Sequence, residues 1–178
     1  MSNKKLFMLV VGCKPPGRHT EQHDVFFGIA DTWEQLQPAI LAFWPQSGKM
    51  HVDAWREVTK VGDYAISVEP RTLPITATSE QLYFLNLGGY KPGEMEEFHY
   101  KILSVNPSMA DAIAAAKQTA FFKHNYSTHV DDKYGVDVDD VYPVMDILSA
   151  QEKNTYQIHI SPAKDIAEDE LHLGYFKF

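Results

Sequence analysis

The sequence has little cysteine, no excess of positive charge and no long apolar run, and each absence excludes a class of protein. The single cysteine, Cys13, cannot form an internal disulfide, which is typical of a protein from a reducing compartment. The net charge of −8 argues against general nucleic-acid binding, because that needs a basic surface. The sequence also lacks a basic amphipathic stretch of the kind that binds a membrane surface. We therefore expect a cytoplasmic protein that binds neither nucleic acid nor membrane.

Complete catalytic and cofactor signatures are also absent. The sequence contains no HExxH, paired CxxC, Walker loop, nucleophile elbow or GxGxxG motif. The motifs therefore do not decide whether the protein is an enzyme, and they specify no cofactor. A thiol nucleophile is rejected as well, because Cys13 corresponds to Gly89 in the internal repeat described below.

The N-terminal residues are similar to a lipoprotein export signal, because Lys4 and Lys5 precede an apolar run that ends at Cys13. That run, residues 6–12, is at the lower limit of length for a signal core. It also aligns with residues 82–88 in the middle of the chain, where a cleaved signal has no place. We therefore expect residues 6–11 to form a strand of the mature protein.

A twelve-residue motif that occurs twice organises the chain. Gly12–His23 and Gly88–His99 share the frame Gly-x3-Pro-Gly-x3-Glu-x-His, with an offset of 76 residues. Such self-similarity indicates a duplicated structural unit. Two further matches continue the repeat at larger offsets: residues 51–53 with 129–131, and residues 64–70 with 156–162.

The apolar patterns predict the same element order, β-β-α-β-β, in both copies. The fold class is α+β, as two tandem repeats with mostly antiparallel sheets and one helix each, sharing a core. The predicted organisation is a first repeat at 1–70, a linker at 71–81, and a second repeat at 82–178 with an enlarged loop and a C-terminal strand. The predicted strands are 6–11, 23–30, 50–58, 64–68, 82–87, 98–105, 141–148, 155–160 and 171–178.

The two predicted helices differ at their starts. Thr32 and Gln35 are spaced as a capping box, but Pro38 predicts a kink or a late start in the first copy. The second helix is predicted over 109–123, with Ser108 as its cap. The acidic residues 165–170 are read as one helical turn.

Pairs of histidine and carboxylate residues recur in both copies at a spacing of two. On a strand, residues two apart point to the same face, so each pair places an imidazole beside a carboxylate. Two such pairs could bind a divalent metal ion or a small ligand, or serve in acid–base chemistry. The candidates are Glu97, His99, His129 and Asp131 in the second copy, and Glu21, His23, His51 and Asp53 in the first. The second copy is favoured because its longer loop could form a pocket wall.

A simpler interpretation is that these side chains brace the Pro-Gly turn through hydrogen bonds to its backbone. The acidic residues 137–140 are expected to form a solvated loop, because they lack the glycine and closing glutamate of a calcium loop. Trp33, Trp44 and Trp55 are expected to pack in the core or in an interface.

The repeated frame resembles a bacterial family of uncharacterised proteins, domain of unknown function 1543, which usually occurs as two such copies. The resemblance depends on the frame that begins at Gly88 and includes Pro92, on residues 116–120, and on residues 129–135. It covers nearly the whole chain and implies no activity.

We therefore expect an uncharacterised protein with a small-ligand-binding or accessory role. One alternative is a metal-dependent or acid–base, hydrolase-like enzyme, with a divalent metal ion as its cofactor. Another is a structural protein-interaction module. The sequence does not identify the small molecule or protein partner, and it leaves a homo-oligomer open.

Overall fold

The computed structural model describes residues 4–72, 79–90, 93, 95–118 and 138–178. It is a mixed α and β structure with antiparallel strand pairs and few helices, which agrees with the predicted class. The strands are β1 Lys5–Cys13, β2 Gln22–Ala30, β3 Met50–Glu57, β4 Lys60–Val61, β5 Tyr64–Pro70, β6 Gln81–Tyr90, β7 Glu97–Asn106, β8 Val138–Pro143, β9 Tyr156–Pro162 and β10 His172–Lys177. The helices are α1 Gln37–Phe43, α2 Met109–Ala116, α3 Val144–Ile147 and α4 Ala150–Thr155, and a 3-10 turn spans Trp33–Leu36.

The chain forms two compact units, Met1–Ile75 with Leu148–Phe178, and Thr76–Ile147. The first unit contains a four-stranded sheet in the order β10-β3-β1-β2 and a three-stranded sheet in the order β4-β5-β9. The second unit contains a three-stranded sheet in the order β7-β6-β8. No helix among the described residues is long and apolar enough to cross a membrane.

The core of the first unit lies on one face of its four-stranded sheet. Alternate residues of β1, from Phe7 to Cys13, pack with Val52 of β3 against the 3-10 turn and α1. Because side chains alternate across a strand, the intervening residues of β1, including Gly12, point to the opposite face. Trp33 is buried in this core, and Trp44 and Trp55 pack against it, as expected from the sequence.

Pro38 determines how the first helical segment begins. The chain enters through the 3-10 turn, and the α-helix starts at Gln37 with Pro38 in its first turn. Proline is tolerated there because the first amide groups of a helix have no intrahelical acceptor. The late start predicted from the sequence is confirmed.

The terminal strands of the two sequence repeats pair with each other in the first unit. β5 and β9 are antiparallel, with Tyr64 opposite Pro162 and Pro70 opposite Tyr156. The aligned residues of the two repeats therefore exchange places across the pair. This register follows from the matching apolar positions, Ile66 opposite Ile160 and Val68 opposite Ile158.

The core of the second unit lies between its sheet and α2. In β6, Tyr83, Leu85 and Leu87 pack with Val138 of β8 under α2, which buries Ala112 and Ala116. The Ser108 side chain accepts a hydrogen bond from the Asp111 amide and caps the helix, as predicted.

Several predicted boundaries in the second repeat are wrong. The strand expected at 141–148 ends at Pro143, and α3 and α4 then lie between it and β9. α4 has a complete capping box between Ser149 and Glu152. A second Glu152 oxygen accepts from the amide of Ile29 at 2.6 Å. The sequence analysis missed α3 and α4 because such short helices bury few side chains and leave little apolar periodicity.

The acidic residues 165–170 are not helical, and Asp169 instead anchors the turn between β3 and β4. One Asp169 oxygen accepts from the amides of Thr59 and Lys60, both at 3.0 Å, and from the Thr59 hydroxyl at 2.7 Å. Arg56 lies 3.6 Å from the other oxygen. The Asp169 side chain is almost fully buried, so these bonds offset its desolvation.

We predict that Asp169→Ala lowers the free energy of unfolding by about 1–3 kcal/mol, because it removes the charged acceptor of the Thr59 and Lys60 amides. The exposed Asp165→Ala, which removes the same charge four residues earlier, is the matched control and should be close to neutral. Urea unfolding of both variants measures the difference. Equal stabilities of the two variants would contradict the role assigned to Asp169.

Candidate metal centre

A row of three paired residues builds a polar cluster on the face of the first sheet opposite its core. Gly12, on the central strand β1, is the direct partner of His23 on β2 and of His51 on β3. Directly paired residues point to the same face of a sheet, so the two imidazoles flank the glycine. Glu21 and Asp53 each lie two residues from one of these histidines and complete the cluster.

The four side chains converge on a small volume. His23 Nε2 lies 3.1 Å from Asp53 Oδ2 and 3.7 Å from Glu21 Oε2. His51 Nε2 lies 3.2 Å from Asp53 Oδ1 and 3.4 Å from Glu21 Oε1. One ligand atom from each of Glu21, His23 and His51 falls within 4.8 Å of the others. Every imidazole in the cluster therefore approaches both carboxylates.

His51 is the buried member of the cluster. Its side chain is 2% exposed, whereas His23 and Glu21 are 43% and 44% exposed. Its Nε2 atom is buried and has no hydrogen-bond partner among the described residues, and the same holds for Asp53 Oδ2. A buried imidazole nitrogen without a hydrogen-bond partner costs free energy, which distinguishes His51 from the exposed members of the cluster.

Gly12 makes the convergence sterically feasible. A Cβ atom on Gly12 would lie 2.5 Å from His51 Nε2, 2.8 Å from Asp53 Oδ2 and 3.0 Å from His23 Cδ2. The space that a side chain would fill on the central strand is thus used by the polar atoms of its neighbours. A register shift between Val10 and Val11 leaves Asp53 without a direct partner on β1, and such bulges redirect side chains.

The distances between the imidazole nitrogens and the carboxylate oxygens can be compared with those expected for metal coordination and for ion pairing. Two ligand atoms bound at about 2.0–2.2 Å to a tetrahedral ion lie about 3.3–3.6 Å apart. The observed N···O distances of 3.1–3.7 Å bracket that range. Charge-assisted N–H···O bonds are shorter, about 2.7–2.9 Å. These four N···O distances are therefore longer than charge-assisted hydrogen bonds and close to the separation of two ligand atoms on one ion.

The second unit contains a closely similar cluster. Gly88 on β6 is paired with His99 on β7, and His99 Nε2 lies 3.7 Å from Glu97 Oε2 and 3.2 Å from Asp139 Oδ2. A Cβ atom on Gly88 would overlap Asp139 and Glu97, as on Gly12. The register shift of β8 falls between the partners of Asn86 and Leu87, so it again coincides with the aspartate of the cluster, Asp139.

The structure brings together Glu21, His23, His51 and Asp53 in the first copy, and Glu97 with His99 in the second. His129 and Asp131 lie outside the described residues. The fuller described set is in the first copy, whereas the sequence analysis favoured the second.

Asp139 is the site residue that the sequence analysis missed. The prediction of a solvated loop over 137–140 is wrong for residues 138–140, which belong to β8. The pair Val138-Asp139 has the same strand positions opposite β6 as Val52-Asp53 has opposite β1. That Val-Asp pair was the available signal, but the longer identity at 129–131 masked it.

Cys13 lies next to the cluster on the core side of β1 and is fully buried. Burial raises the pKa of its thiol, and the Glu21 carboxylate raises it further. The thiol is therefore held neutral, which agrees with its rejection as a nucleophile.

We predict that the wild type loses stability relative to Cys13→Ala as the pH rises above 9.0, the ordinary pKa of a cysteine thiol. The thiol of the unfolded protein releases its proton near that pH, whereas the thiol of the folded protein keeps it. Rising pH therefore stabilises the unfolded state relative to the folded state. The slope reaches at most about 1.4 kcal/mol per pH unit. Urea unfolding of both proteins from pH 7 to pH 10.5 measures it, and a constant difference would refute the assignment.

A second prediction concerns the space above Gly12. Gly12→Ala should destabilise the protein by about 1–3 kcal/mol, because the new methyl group displaces the buried His51 ring. Gly174→Ala is the control, since its nearest contact is a Phe176 ring carbon at 3.2 Å. Thermal unfolding compares the two, and an equal loss in both would show that the cluster does not need this space.

The fold has a counterpart among solved structures. A crystal structure of a protein Il1583 from Idiomarina loihiensis is similar to this chain, with a TM-score of 0.60 and 23% sequence identity. The similarity covers 98% of this chain and 97% of that one. At this identity it supports the fold alone.

No curated protein is significantly similar to this chain in sequence. Residues 18–68 match the model of the family described as Domain of Unknown Function (DUF1543). The matched segment contains Glu21, His23, His51 and Asp53, so it includes every ligand candidate of the first cluster. In this segment the chain is similar to DUF1543, in agreement with the resemblance of its repeated frame.

Proposed function

We propose that the protein binds a divalent transition-metal ion through Glu21, His23, His51 and Asp53. The observation that carries this proposal is the buried Nε2 atom of His51, which has no hydrogen-bond partner among the described residues and lies between two carboxylates. An ion coordinated by this nitrogen would satisfy it and would also neutralise the two carboxylates.

The ligand set favours zinc, cobalt or nickel over magnesium or calcium. Imidazole nitrogens suit these transition metals, whereas magnesium and calcium prefer oxygen ligands alone. His51 is the fixed anchor, because it is buried, while Glu21 and His23 are open to solvent. A small ligand could therefore reach the ion, which is compatible with both a binding role and metal-dependent catalysis.

We infer that Glu97, His99 and Asp139 form part of a second site of the same type. The His–carboxylate distances nearly equal those of the first cluster, and the glycine stands in the same position. Among the described residues this set has one imidazole where the first has two. His129 and Asp131 stay candidates for this second site.

We also infer that the chain arose by duplication of a β-β-α-β-β unit. Support comes from the offset of 76 residues between the paired glycines, from the matching register shifts, and from the exchanged pairing of β5 with β9. The repeat limits at 1–70 and 82–178 and the shared core remain predictions, as does the cytoplasmic location.

A structural role is the main rival. Imidazoles paired with the carboxylates would brace the turn between β1 and β2 without any ligand. In that case the removal of an imidazole destabilises the metal-free protein, and added metal has no effect on unfolding.

The test is a titration of chelator-treated protein with Co²⁺ and Zn²⁺, followed by visible absorption and thermal unfolding. An ion that binds only the folded state raises stability by about 2.7 kcal/mol at a concentration 100 times Kd. Loss of a residue that only hydrogen-bonds to a metal ligand weakens metal binding roughly 10–100-fold. His23→Ala removes a candidate ligand itself and should weaken metal binding by more. His19→Ala removes the same ring from the exposed preceding turn and should bind as the wild type.

Because His23 is exposed, its replacement should leave the metal-free protein folded, so the two readings separate. Lost metal binding with unchanged metal-free stability supports the proposal. Wild-type protein that binds neither ion, or a His23→Ala variant that binds as well as His19→Ala, would reject it.

A further inference from the structure

The row that builds the first cluster continues onto the edge strand of the sheet. Lys177 on β10 is the direct partner of His51, as Gly12 is on the other side of β3. Directly paired residues share a face, so the Lys177 side chain leaves the sheet on the same side as His51. Phe176, which is paired with Val52, packs against the core on the opposite side.

Tyr175 forms a wall beside the buried imidazole. Its ring lies 4.2 Å from the His51 ring, between centroids, with an interplanar angle of 31°. The Lys177 Nζ atom lies 5.8 Å from the centroid of the same tyrosine ring. The tyrosine thus contacts both the metal-ligand candidate and the ammonium group, and places them around one aromatic surface.

Lys177 is an exposed cation whose charge is not offset locally. Across the part of the chain that the structure describes, its recorded interaction is with the Tyr175 ring, and no carboxylate lies within 4.0 Å of Nζ. Other lysines of the same unit have such partners, for example Lys5, whose Nζ lies 2.7 Å from Glu57. The Lys177 ammonium is therefore available to an external anion.

Charge makes anion binding depend on the metal. Without an ion, Glu21 and Asp53 outweigh Lys177 and the region repels anions. A divalent cation cancels the charge of the two carboxylates. The region then carries the net positive charge of Lys177. An anion that coordinates the ion with one oxygen could accept a hydrogen bond from the ammonium with another.

The second cluster has no matching lysine among the described residues. β8 lies at the edge of its described sheet, with no strand in the position that β10 occupies beside β3.

We propose that the metal ion of the first cluster binds a small oxyanion, a carboxylate or a phosphate group, which Lys177 holds at the edge of the sheet beside Tyr175. This inference depends on the proposed metal site and specifies the class of its ligand. It makes the first cluster a ligand-binding site and assigns the C-terminal strand a direct part in it.

The test uses Co²⁺-loaded full-length protein, with inorganic phosphate and acetate as separate probes of the two oxyanion classes. A change of the Co²⁺ visible spectrum on titration measures binding at the ion. Lys177→Gln should weaken the binding of the effective anion roughly tenfold or more, because a charge-assisted hydrogen bond is lost. Its Co²⁺ affinity should stay unchanged.

Lys164→Gln is the matched control, since that exposed lysine lies beside Asp63 at 3.9 Å, at the turn between β4 and β5. It should bind the anion as the wild type does. The inference is overturned if neither anion alters the Co²⁺ spectrum, if Lys177→Gln and Lys164→Gln bind it equally, or if the metal-free protein binds it as well. Failure of the wild type to bind Co²⁺ rejects the proposed function, and this inference with it.

Discussion

The absence of a side chain at Gly12 is the constraint on which the candidate site depends. Gly12 lies on the central strand, so both neighbouring strands place a histidine directly beside it. A methyl group there would overlap His51 and Asp53. The alternating pleat separates this polar face from the core face, where Val11 and Cys13 pack under α1. One strand thus carries the core on one side and the cluster on the other.

Burial gives His51 a different character from the other members of the cluster. A buried imidazole nitrogen costs free energy unless a hydrogen bond or a metal ion satisfies it. Tyr175 covers one face of the ring, which reduces its access to water. Glu21 and His23 remain open to solvent, so the cluster combines a fixed buried ligand with exposed ones. Such an arrangement suits an ion that also binds an external ligand.

Much of the local structure could be predicted from the sequence. Apolar runs predicted β1 and β6, and Pro38 predicted the late start of α1, because these signals act within a few residues. Glu21 and His23 could be recognised as one group because a spacing of two on a strand has a fixed geometric meaning. The short helices α3 and α4 were missed, because a helix of one turn buries too little to produce a pattern.

The sequence by itself determined the repeat, the paired glycines and the types of side chain that flank them, because these follow from identity and spacing alone. Only the tertiary structure decided that Asp139 joins His99 and that β10 lies beside β3. Those choices depend on strand register between distant segments, which burial of a whole face and the position of a bulge determine together. Lys177 is 126 residues from His51 in the chain, and no local pattern records that pairing.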